Sequence, residues 1–137
     1  MPTNNEMQQR IANLARTDAL TMKARMIPHN RAIATLTQHR NWLTEVAEDH
    51  RLIVDQELKS KNYGDAKEHT RLHKEAIFQL RNTEAAIKLL EGVRRPLELV
   101  CMRLRFIQNN TAEHGQVGSF MWNRELDLCR IEMEKLL

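Results

Sequence analysis

Residues 43–73 read LTEVAEDHRLIVDQELKSKNYGDAKEHTRLH, and this stretch decides the fold. On its left, Leu43, Val46, Ile53, Val54 and Leu58 recur at three- and four-residue steps, the period of one helical face. Going back to about Asn30, the seam reads Ala32, Leu36, His39, Leu43, Val46, His50, Ile53 and Glu57, a heptad-like stripe with polar interruptions. About thirty residues in a helix span roughly 45 Å, which favours paired, coiled-coil-like packing. On the right, Ala66, His69, His73, Ala76, Leu80, Thr83, Ile87 and Leu90 continue the pattern until Gly92, a residue suited to a helix C-terminus. Asn62 can cap this second helix, with Asp65 three residues on. Only two or three residues separate the runs, so the helices must lie antiparallel. The prediction is a hairpin over about 30–91 with Tyr63 packed across its tip. Hairpins of this kind are generic and point to no family.

Working outward, Thr3 and Glu6 have capping-box spacing. They predict an N-terminal helix over about 5–27 with Met7, Ile11, Leu14, Ala15, Ala19, Met22 and Met26 on its apolar side, ended or kinked at Pro28. Arg95-Pro96 opens a fourth helix over about 95–109, its inner face Leu97, Val100, Cys101, Leu104 and Ile107. Asn109, Asn110, Gly115 and Gly118 mark a loop. Ser119 can cap a last helix over 119–137, where Trp122, Leu126, Cys129, Met133 and Leu136 give the cleanest amphipathic pattern in the chain. The expected fold is all-α: a helical bundle of about five helices built on the long hairpin, in a single domain of 137 residues.

Composition agrees. Aromatic residues make up 4%, with 4 Gly and 3 Pro, too few for the turns and strands of an all-β protein. No run approaches the ~20 apolar residues of a membrane span, and the polar start has no signal-peptide core. Cys101 and Cys129 fall on apolar stripes and read as buried thiols. A cytoplasmic protein is expected.

The histidines are the first place to look for chemistry. His69 and His73, four apart, share a helical face, and folding the hairpin brings His50 towards His73. A metal centre would draw on His50, His69 and His73 with Asp55 or Glu57. However, Thr70 follows His69 where the zinc-protease helix motif needs Glu, and there is no Glu-x-x-His pair. The expectation is no metal and no cofactor: histidines that flank or interrupt the seam and bond locally, His39 and His50 fixing register, or a seam that responds to pH. There is no nucleophile elbow and no phosphate-cradling loop. Carboxylates are spaced as helical partners of basic residues, as in Glu84 with Lys88 and Asp127 with Arg130. No enzyme is expected.

Binding is left. The net charge of +3 is mild, but residues 93–110 hold Arg94, Arg95, Arg103 and Arg105 against Glu98 alone. These arginines are candidates for nucleic acid or an acidic partner. A second basic set, Lys59, Lys61, Lys67, Arg71 and Lys74, surrounds the hairpin tip and is interleaved with acids. Phe120, Met121, Trp122, Leu126 and Met133 are candidates for a protein interface on the last helix. The chain is expected to be a protein-interaction module (adaptor, assembly factor or inhibitor of a larger complex) and a homodimer, because long polar-interrupted seams serve self-association. The alternative is a nucleic-acid-associated accessory protein.

Overall fold

The computed structural model describes the backbone of residues 4–111 and 115–137, and their side chains except at 4, 115–117 and 119. The described chain is all-helical, with α1 Asn4–Lys59, α2 Tyr63–Asn110 and α3 Gly115–Leu136. Three helices replace the expected five, because Pro28, Gly92 and Pro96 interrupt neither α1 nor α2. The buried pattern shows why. In α1, Gln8, Ala15, Met22, His29, Leu36, Leu43, His50 and Glu57 stand seven apart, and each is buried or half-buried. In α2, Ala66, His73, Leu80, Ile87, Arg94, Cys101 and Gln108 do the same. The seven-residue phase thus passes through each breaker unshifted. Pro28, Gly92 and Pro96 are all exposed. The carbonyls that the prolines leave without an i+4 donor belong to Ala24 and Gly92, also exposed, so water can satisfy them. A proline inside a helix costs about 3 kcal/mol, which burial along the continuing seam can offset.

The last helix also starts earlier than expected, at Gly115, so Ser119 lies inside α3. The Thr3 cap and the Ser119 side chain lie outside the described residues.

The chain divides into two compact units, Met1–His29 with Gly92–Leu137, and Asn30–Glu91. The first is a three-helix bundle. Its core joins Ile11, Ala15, Ala19, Met22 and Met26 to Leu97, Val100, Cys101, Leu104 and Ile107 and to Trp122, Leu126, Cys129 and Met133. Small residues let the helices approach closely: the Cys101 thiol reaches the Ala19 carbonyl at 3.7 Å. An ion pair between Arg130 Nε and Asp18 Oδ2 at 2.8 Å ties α3 to α1.

The second unit is the hairpin, where only two helices share one seam. Its buried residues are Leu43, Ala47, Ala66, Ala76, Thr83 and Ile87. Its tip is a Schellman closure: Asn62 N–H donates to the Glu57 carbonyl (2.8 Å) and Lys61 N–H to Leu58 (3.1 Å). The Asn62 carbonyl then accepts the first bond of α2 from Ala66, while its side-chain amide donates to Asp65 rather than capping a backbone N–H. Tyr63 does not pack across the tip; it is 64% exposed. Lys61 carries the turn at φ 58°, a conformation that disfavours any side chain with a Cβ. Lys61→Gly should therefore stabilise the protein by about 1 kcal/mol in urea unfolding. An unchanged or lowered midpoint would show that the left-handed turn costs nothing here.

Candidate interaction surfaces and the histidine seam

The heptad that packs the bundle core also settles what α2 and α3 leave outside. On α3, Trp122, Leu126 and Met133 point inward and belong to the core. Phe106 meets Trp122 edge-on, with ring centroids 5.6 Å apart at 67°. The Trp122 indole N–H is buried with no hydrogen-bond partner among the described residues. The two neighbours proposed with them, Phe120 and Met121, are 77% and 41% exposed. The five candidates thus divide, three inside and two outside. Sequence reasoning missed a second apolar set on the outer side of α3, Leu128 and Ile131. It also missed one on α2, where Leu99, Met102 and Phe106 recur at steps of three and four on the exposed face. Their signal was the same helical spacing, offset from the core stripe.

The four arginines of α2 do not form one strip. Arg94 and Arg95 both bind Glu98, at 2.7 and 3.3 Å. Arg103 reaches across to Glu125 of α3 at 3.7 Å. Arg105 is exposed. At about 100° per residue, Arg103 lies roughly opposite Arg94 on the helix. Arg95 and Arg103 instead line one groove of about 490 Å³ between α2 and α3. Its other walls are Pro96, Leu99, Val100 and Leu136, with Glu132 on the far side. At the hairpin tip, Arg71 is held by Glu68 and Glu75 at 2.7 and 3.3 Å.

In the hairpin, His73 Nδ1 lies 2.9 Å from the Ala47 carbonyl oxygen. A carbonyl only accepts, so Nδ1 carries the proton. This bond between helices fixes their register. His69 Nδ1 likewise donates, to Glu57 Oε1 at 2.8 Å and to the Asp65 carbonyl at 3.0 Å. The His50 ring stands 5.5 Å from that of His69, while His73 meets the Ala47 carbonyl. Asp55 pairs with Arg51 at 3.7 Å. His39 is exposed and stacks on Trp42 at 5.7 Å, so it does not set the register. His50 Nδ1 and Glu57 Oε2 are buried without hydrogen-bond partners among the described residues, so this end of the seam carries a desolvation cost. Among the described residues, no group of three or more His, Cys, Asp or Glu is placed to hold a metal ion.

Burial opposes charge on His69, but the Glu57 hydrogen bond, the Asp65 carbonyl and the charges of both carboxylates outweigh it and raise its pKa above the ordinary histidine value. A raised folded-state pKa gives stability that is fully present below the unfolded value, near 6.5, and lost as pH rises through the folded one. The hairpin should therefore melt at a lower temperature at about pH 9 than at about pH 6, and Glu57→Gln should flatten that slope. Equal slopes in the two proteins would remove the pair from the pH response.

No helix among the described residues is long and apolar enough to cross a membrane. Compared with known proteins, the chain matches no family model, no curated protein and no solved structure.

Proposed function

We propose that this chain is a non-enzymatic protein-interaction module, an adaptor, assembly factor or inhibitor of a larger complex, working in the cytoplasm through its helical surfaces. The observation that carries this reading is the second apolar face of the bundle. With the core already filled, Leu99, Met102 and Phe106 on α2 and Met121, Leu128 and Ile131 on α3 still lie exposed. Apolar clusters of this kind on a soluble surface mark places where another surface is bound. Two buried, free thiols fit a reducing compartment. The test is affinity capture with the full chain and with Leu99→Glu/Phe106→Glu as bait, after circular dichroism has shown both folded. A partner held by the first and lost by the second supports the reading; equal capture by both rejects it.

One observation favours the alternative, nucleic-acid-associated reading. The hairpin, Asn30–Glu91, holds equal numbers of acidic and basic residues, so the whole +3 belongs to the bundle. Fluorescence anisotropy with labelled DNA and RNA at about 50 and about 200 mM salt tests it. Binding that collapses with salt, and is lost in Arg95→Glu/Arg105→Glu, would favour it; no binding at the lower salt would exclude it.

A further inference from the structure

We propose that two copies of this chain associate through the outer face of the α2–α3 pair, the arginine-flanked seam of α2 in one copy lying on the acid-flanked seam of α3 in the other. This rests on the interaction reading above and names the partner. On α2, Leu99 sits between Arg95, one turn before it, and Arg103, one turn after. In heptad terms these arginines lie on either side of the line through Leu99 and Phe106. Both are solvent-accessible, at 63% and 44% of their side chains.

The flanks of the outer seam of α3 have the opposite sign, while Arg124 and Lys135 stand on the seam itself, one turn before Leu128 and one turn after Ile131. Leu128 and Ile131, with Met121 two turns before Leu128, are flanked by Glu125 and Glu132 on one side and Asp127 and Glu134 on the other. The two signs already meet within one chain. Arg103 approaches Glu125 at 3.7 Å, and Glu132 shares the α2–α3 groove with Arg95 and Arg103.

The charges decide how two such faces can meet. Laying α2 on its own copy would set arginine against arginine, and α3 on its copy would set flanking carboxylate against flanking carboxylate, arrangements that like charges penalise. Crossed pairing matches arginine with carboxylate on both sides while burying both apolar seams. A two-fold axis parallel to the helices produces it twice at once, α2 on the partner's α3 and α3 on the partner's α2. The two helices run antiparallel within the chain, as the Phe106–Trp122 and Arg103–Glu125 contacts show, so each crossed pair is antiparallel too.

The test is sedimentation equilibrium of the full chain at about 50 mM salt. The wild type should be dimeric. Arg95→Glu and Asp127→Lys/Glu134→Lys, which reverse the facing flanks away from the chain's own Arg103–Glu125 pair, should each weaken the dimer by about ten-fold or more, and an equimolar mixture of the two should recover a heterodimer. A monomeric wild type overturns the proposal while leaving the capture of a different protein open to its own test. A dimer indifferent to both reversals, or a mixture that stays monomeric, overturns it as well. Should either charge variant lose its helical circular dichroism, the Leu99→Cys and Leu128→Cys chains replace them. Under oxidation the mixture should cross-link more than either chain alone, and cross-linking no greater than that of the separate chains overturns the crossed pairing.

Discussion

Replacing Trp122 with alanine is expected to cost about 3–5 kcal/mol, the range for removing a large aromatic side chain from a packed core. Trp122 is 7% exposed, sits in one cluster with Ile11, Leu104 and Leu126, and takes Phe106 edge-on. Its N–H, which has no acceptor among the described residues, tempers the loss, because alanine also removes this buried donor. The comparison is Phe120→Ala. Phe120 stands two residues away but is 77% exposed, so its truncation should move stability by no more than about 0.5 kcal/mol. Urea unfolding of both variants measures the contrast. A wild-type midpoint for Trp122→Ala would place the indole outside the core.

Leu43→Ala should have the largest effect in the hairpin, about 2–5 kcal/mol. A two-helix seam has few large side chains to share the work, and only Leu43 and Ile87 among them are shielded to 2% and 5%. Leu43 also stands one turn before Ala47, whose carbonyl receives His73. A cavity at 43 therefore weakens the segment that holds the register. Amide exchange should rise across residues 36–54 and their opposite numbers in α2. Exchange confined to a residue or two around 43 would mean that the seam can close over the gap.

The helix breaks expected at Pro28, Gly92 and Pro96 share one physical source. Proline and glycine suggest helix ends because each disfavours the helix locally. What decides continuity is whether the buried stripe keeps its phase across them, and from Met22 through His29 to Leu36, and from Ile87 through Arg94 to Cys101, it does. The hairpin was legible because the gap at 60–62 is short and the stripes on both sides are strong. Which faces of α3 were core was legible only in part. Trp122, Leu126 and Met133 lie on the stripe that packs inward, whereas Phe120 lies nearly opposite it and Met121 to one side. Hydrophobicity alone does not separate them; position in the heptad does. The arginines were legible as a local excess of charge, but their arrangement around the helix and their carboxylate partners were not. The Arg130–Asp18 pair joins residues 112 apart, and no local spacing announces it. His73 on the Ala47 carbonyl depends on the registration set by the tip, which no composition or periodicity encodes.

The two free thiols, Cys101 on α2 and Cys129 on α3, both lie in the bundle core, and the hairpin holds none. Burial pushes the Cys129 thiol above its ordinary pKa, against the pull of nearby Arg103, so reactive thiolate is scarce while the bundle is closed. Modification by an aromatic disulfide reagent must then wait for the bundle to open, and its rate becomes a clock for that event alone. Run on Leu43→Ala, the clock answers a question of cooperativity. An unchanged rate means that hairpin and bundle breathe as separate units, and a faster one means that loosening the first releases the second.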